Sequence, residues 1–224
     1  MHSRFDHIDS WIFDLDLTLY GPEANIMAQV RDRIALYVER YFNISSDAAH
    51  HIRHTYWKKY GTTLGGLMAE HSVDPHGYLD FVHDVDMSLL HPAPDLRGQI
   101  EALPGRKLIF TNADAPYAHR VLAARGLDGV FEDIFDIHRM QHVPKPASVS
   151  YDRLCNELYI DPARALFVED SAHNLGPAKA LGMTTIWVNH DIAVDRADTA
   201  PFIDHEIADI SGWLSSLHTI ERTI

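Results

Sequence analysis

The chain has 224 residues, 46% of them hydrophobic, which is enough to bury a core and excludes a disordered segment. Lys+Arg total 19 against 32 Asp+Glu, and the formal net charge of −13 excludes non-specific binding to a nucleic-acid polymer or an anionic membrane. One cysteine, Cys155, leaves no internal disulfide. With a polar stretch at Met1–Ser10 and no apolar run of spanning length, the expected location is cytoplasmic.

The first element is a strand at Trp11-Ile12-Phe13, an apolar, β-prone run of the kind buried in parallel sheets. It ends on two carboxylates one residue apart, Asp14 and Asp16, followed by Thr18. Ligands of open α/β sheets bind outside the carboxyl ends of the strands, so these acids stand where chemistry is placed. A turn or helix cap explains one aspartate well but two poorly.

From Gly21 to Pro92 only helices are expected. Ile26, Val30, Ile34, Tyr37, Val38 and Tyr41 repeat at helical spacing. Ser45 caps a second helix running to Tyr60, and two more follow over Thr63–His71 and Pro75–Leu90. His50, His51 and His54 come nearest to a metal cluster, but they lack an acidic or cysteine partner at ligand spacing and read as a solvated face. His91-Pro92-Ala93-Pro94 closes the block as a stiff connector.

Strands and helices then alternate. A helix over Asp95–Leu103 leads into the strand Lys107–Phe110, which ends at Thr111-Asn112, and Asp114 and Pro116 open a helix ending at Gly126. Phe131–Ile137 is the next strand, and Pro144-Lys145-Pro146 leads into a helix to Tyr159 that carries Cys155. Ala165–Val168 is a buried strand that ends on Glu169-Asp170-Ser171. A helix with Pro177 in its first turns and Gly182 beyond its end precedes the strand Thr184–Val188; a short strand and helix occupy Ile207–Leu217. The order predicts an α/β fold, a doubly wound parallel sheet interrupted after its first strand by an all-helical insertion. The divisions are core 1–20, helical cap 21–92 and core 93–224.

Parallel strands end at one edge, so Asp14/Asp16/Thr18, Thr111/Asn112, Glu169/Asp170 and Lys145 can converge there. The chemistry they suit is phosphoryl transfer. A carboxylate attacking an anionic ester needs a neutralising partner, which Mg2+ on Asp14, Asp170 and the main chain near Asp16 supplies, with Glu169 beside them. Lys145 acts as a point charge on phosphate oxygens, and Thr111 and the backbone N–H groups after Asn112 donate hydrogen bonds. Asp16 protonates the leaving alcohol and then deprotonates water.

In order and spacing, Asp14-x-Asp16-x-Thr18, Thr111-Asn112, Lys145-Pro146 and Glu169-Asp170-Ser171-x-x-Asn174 resemble the four motifs of the haloacid dehalogenase superfamily. The resemblance implies a Rossmann-like core with a helical cap of the C1 type, Asp14 as nucleophile and Asp16 as general acid/base. It also implies Mg2+ on Asp14, the Asp16 carbonyl and Asp170. Leu17 departs from the Gly or Asn that many members carry. Asp16-Leu17-Thr18-Leu19-Tyr20, Tyr60-Gly61-Thr62-Thr63-Leu64 and Gly182-Met183-Thr184-Thr185 further resemble the pyrimidine 5′-nucleotidase branch, which implies UMP and CMP as substrates. Lys58, Lys59, Thr62 and Thr63 are the cap candidates for substrate contact, against a reading as a helix end and turn with solvated lysines. Three alternatives stand beside this: a 2-haloacid dehalogenase, which needs no acid for its leaving group; a sugar-phosphate phosphatase or phosphomutase; and a non-catalytic binding protein.

Overall fold

The computed structural model describes residues 5–190 and 200–221. Six parallel strands form one sheet in the order β3-β2-β1-β4-β5-β6. They are β1 (Ser10–Phe13), β2 (Arg106–Phe110), β3 (Asp133–Phe135), β4 (Ala165–Glu169), β5 (Thr184–Val188) and β6 (His205–Ile207). β1 lies between β2 and β4, with Phe13 level with Ile109 on one side and Val168 on the other. The order of the strands reverses at β1, so the crevice outside its carboxyl end is the topological switch point where ligands of such sheets bind.

The alternation of side chains divides the core in two. Trp11, Phe13, Ile109, Leu166 and Val168 pack on one face, while Ile12, Leu108, Phe110 and Phe167 pack on the other, all fully or nearly fully buried. Helices α5 (Pro94–Glu101), α6 (Ala115–Ala124), α7 (Ser148–Leu158), α8 (Ala172–Leu181) and α9 (Ile210–Glu221) complete this α/β unit, which is Rossmann-like. Among the described residues, no helix is long and apolar enough to cross a membrane.

Helices α1 (Ile26–Phe42), α2 (Ser46–Tyr60), α3 (Thr63–His71) and α4 (Pro75–Val82) stand over the crevice. Side chains cap three of them: Ser45 accepts from Ala48, Thr62 from Gly65, and Asp74 from His76 and Gly77. Tyr56, Leu64, Leu67, Tyr78, Leu79 and Val82 pack in the same cluster as Phe110 and Phe167, making the helical block continuous with one face of the sheet.

Two elements are shorter than their sequence patterns predict. The helix expected over Pro75–Leu90 stops at Val82. Beyond it, Arg120 donates to the carbonyls of His83 and Val85 (both 2.9 Å), and Arg125 donates to that of His91, so tertiary donors take up carbonyls of the return segment in place of helical partners. The strand expected over Phe131–Ile137 keeps only Asp133–Phe135. It pairs with β2 alone, and Asp136 turns the chain by accepting from the N–H groups of Ala115 and Arg139.

Candidate active site

Four chain segments meet at the crevice. Asp14 follows β1, Thr111 and Asn112 follow β2, Glu169 closes β4 with Asp170 beyond it, and Lys145 comes from the loop before α7. All six line a cavity of about 330 Å3, together with Asp16, Leu17, Thr62 and Thr63. Lys145 is buried, and its ammonium meets Asp14 Oδ1 (2.7 Å), Glu169 Oε2 (2.7 Å) and the Phe110 carbonyl (2.8 Å). That satisfies its three donors. Burial acts to lower the Lys145 pKa, but the charges of Asp14 and Glu169 outweigh it and hold the lysine above its ordinary value.

Asn112 sets the lysine loop. Its Oδ1 accepts from the Lys145 N–H (2.8 Å) and its Nδ2 donates to the Lys145 carbonyl (3.3 Å). The side chain expected to bind substrate is therefore spent on positioning the lysine. Thr111 differs: its Oγ1 accepts from the Ala113 N–H (3.0 Å), which leaves its proton for a ligand.

One ligand oxygen from each of Asp14, Glu169 and Asp170 lies within 4.8 Å of the others. Burial and the nearby Glu169 raise Asp14 to about 7, with Lys145 opposing. Burial, Glu169 and Asp14 raise Asp170 to about 10. Three crowded carboxyl groups face one ammonium and repel one another's ionisation, and such hard oxygen donors suit a small divalent cation such as Mg2+, whose charge would favour their ionised forms. Trp187 Nε1 donates to the Asp170 carbonyl (2.8 Å) and the Ser171 N–H to Glu169 Oε1 (3.1 Å), so the backbone around these acids is held.

Asp16 is partly covered. Its Oδ1 accepts from the hydroxyls of Tyr20 and Tyr117, the latter at 2.7 Å. Burial raises its pKa, while the two tyrosines and the charge of His83 pull it back. Leu17, next in the chain, sits at φ 57°, the left-handed region, and His190 Nε2 donates to its carbonyl (2.6 Å). The Gly or Asn common at this position reaches that conformation at lower cost; a leucine there costs about 1 kcal/mol.

The expected residues do not all meet here. Thr18 is buried, faces a separate cavity beside Tyr20 and Arg125, and its Oγ1 finds no hydrogen-bond partner among the described residues. Lys58 and Lys59 are exposed on α2 outside the lining, and Lys59 pairs with Glu70 (2.8 Å). Thr62 and Thr63 do line the cavity, although the Thr62 hydroxyl also caps α3. His50, His51 and His54 lie exposed on α2.

Other lining residues were not singled out from sequence. Met27, Val30, Ile34, Leu79 and Val82 form an apolar part of the lining, with Tyr78, His83 and His142. Lys145 is the only lysine or arginine among the described lining residues. The helical periodicity of α1 and α4 marked some of these positions as buried, but nothing local distinguishes a core-facing residue from a cavity-facing one.

A parallel sheet with this acidic crevice at its switch point, under a helical insertion, is the frame of a hydrolase superfamily. The haloacid dehalogenase-like hydrolase family model matches residues 11–188, and the chain belongs to that family. Phosphate metabolism protein 8 from Saccharomyces cerevisiae is 24% identical over 203 residues, 77% of this chain. The chain spans 59% of the length of that curated relative. Among solved structures, the HAD phosphatase from Thermococcus onnurineus matches with a TM-score of 0.59 at 20% identity, over 96% of this chain and 98% of that one. The HAD-hydrolase YfnB from Bacillus subtilis, bound to magnesium, matches with a TM-score of 0.61 at 18% identity, over 94% and 99%. L-2-haloacid dehalogenase from Xanthobacter autotrophicus matches with a TM-score of 0.56 at 18% identity, over 94% and 98%. At these identities the likeness is one of fold.

Proposed function

We propose that this hydrolase is a Mg2+-dependent phosphomonoesterase that works through a phosphoryl-Asp14 intermediate, with pyrimidine nucleoside 5′-monophosphates of the UMP and CMP type as substrates. The observation that carries the reading is the pairing of two acids in different settings. Asp14 is buried on Lys145, whereas Asp16 borders the cavity with hydroxyls on one oxygen. In the first step the Asp14 carboxylate attacks phosphorus, the bond from phosphorus to the ester oxygen breaks, and Asp16 gives that oxygen its proton. In the second step Asp16 takes a proton from water, the water oxygen attacks phosphorus, and the bond to Asp14 breaks to release phosphate. Asp14, Asp170 and the Asp16 carbonyl, with Glu169 beside them, would hold Mg2+, which when bound would supply the charge neutralisation that lets a carboxylate approach a phosphate ester. Lys145 holds Asp14 in place, and the Thr111 hydroxyl and the N–H groups opening α6 bind phosphate oxygens. The helical block 21–92 acts as a cap that excludes bulk water.

The dehalogenase alternative is disfavoured by the same geometry. A halide leaves without a proton, which gives Asp16 no task, and among the described lining residues a haloacid carboxylate would meet no lysine or arginine besides the committed Lys145. The apolar part of the lining favours a nucleoside over a hexose. Sugar hydroxyls laid against Met27, Val30, Ile34 and Val82 would lose their hydrogen bonds, whereas a pyrimidine ring offers two apolar faces. Thr62 and Thr63, with Tyr78 and His83, are polar groups the cap brings to it.

A panel of phosphate monoesters tests the substrate. The kcat/KM for UMP and CMP should exceed that for purine nucleotides and hexose phosphates by about tenfold or more. A flat profile would leave a general small-metabolite phosphatase, and preference for a hexose phosphate would contradict the nucleotide reading.

A further inference from the structure

Asp16 sits where two segments distant in sequence meet, the turn after β1 and α6. Tyr20 reaches it from the turn after β1 and Tyr117 from α6. Both hydroxyls donate to the same oxygen, Oδ1; among the described residues no hydrogen bond reaches Oδ2. A carboxylate with two donors on one oxygen is fixed in rotation and presents the other. We propose that Tyr20 and Tyr117 are positioning residues of the reaction: they pin Asp16 through Oδ1 so that Oδ2 is the oxygen that exchanges the proton with the leaving group and with water.

The arrangement is built around Tyr117. Asp114, the N-cap of α6, accepts from the Tyr117 N–H (3.3 Å) and pairs with His83 Nδ1 (2.9 Å). His83 closes α4, and its ring stacks on that of Tyr117 with centroids 4.2 Å apart and planes at 23°. The last helix of the cap thus covers the tyrosine that holds Asp16. Tyr117 is buried, and His83 packs directly against its ring.

The inference rests on the phosphatase reading, and its test separates the two. An alkyl phosphate needs a proton on its leaving oxygen, whereas an aryl phosphate such as p-nitrophenyl phosphate releases a stable phenolate without one. Wild type, Tyr20→Phe, Tyr117→Phe, Asp16→Asn and the double variants with Asp16→Asn are compared on both esters, with a thermal midpoint for each. In either phenylalanine variant kcat for the alkyl ester should fall about ten- to a hundredfold. KM should move by less than about threefold. The initial burst of phenolate from the aryl ester should keep its rate. On the Asp16→Asn background the same substitutions should cost nothing further, because residues acting through one group do not add. Losses that multiply on that background, or burst rates that fall as far as alkyl turnover, would overturn the proposal. If Tyr117→Phe does not fold, Tyr20→Phe carries the same comparison. Wild type that turns over neither ester would instead defeat the phosphatase reading itself.

Discussion

Asp14→Asn should abolish phosphomonoester hydrolysis, lowering kcat by about 10⁴-fold or more, while leaving the protein folded. The amide is too poor a nucleophile to attack phosphorus, and no second carboxylate replaces it. Asp16 is tied to two tyrosines, and Glu169 to Lys145 and the Ser171 N–H. The fold should not suffer. Asp14 is buried beside Glu169, which raises its pKa to about 7, so part of the native state holds it against its own charge. Removing that charge relieves repulsion, and Lys145 keeps Glu169 and the Phe110 carbonyl. Denaturant unfolding should show unchanged or slightly higher stability, as expected where function and stability conflict. Turnover within tenfold of wild type would exclude Asp14 as nucleophile.

Lys145→Met should damage both activity and stability. The ammonium is the counter-charge for two buried carboxylates, so its removal leaves Asp14 and Glu169 uncompensated at a cost of about 3–5 kcal/mol. The pH dependence has a definite sign. An aspartate whose pKa is raised above its ordinary 3.8 binds protons more tightly in the folded state, so it adds nothing at low pH and destabilises as pH rises past that value. Without Lys145 the Asp14 pKa is raised further, and the deficit relative to wild type should be largest near neutrality and shrink toward pH ~4. Added Mg2+ should return part of the loss, because it binds only the folded acidic cluster. A stability deficit that is the same at pH ~4 and pH ~7 would contradict the assignment of Lys145 as the counter-charge.

The core of the site was legible because parallel strands end together. Asp14, Thr111, Glu169 and Asp170 could be placed at one edge from strand limits alone, and Lys145 from the prolines around it. Lys58 and Thr18 were nominated by proximity in the chain to a motif or a turn, and a shift of face took each away from the cavity. Tyr20 carried a readable signal, four residues after Asp16 in a turn where Leu19 N–H reaches the Leu15 carbonyl. Tyr117 carried none, since its contact with Asp16 spans 101 residues and depends on how α6 packs. The early end of α4 was hidden for the same reason, because the arginines that take up carbonyls of the return segment lie on and just beyond α6. Leu17 shows the reverse case, where a motif position tolerates an unfavourable backbone because the surrounding structure holds its carbonyl.

The covalent role of Asp14 can be read most directly by acid-quenched single turnover with a phosphate monoester, followed by peptide mass analysis. The account predicts one phosphoryl group on the peptide containing Asp14, lost in Asp14→Asn and converted to homoserine at that position by borohydride. Full turnover with no phosphoryl-enzyme at any quench time, or a phosphoryl group carried on a different residue, would contradict it.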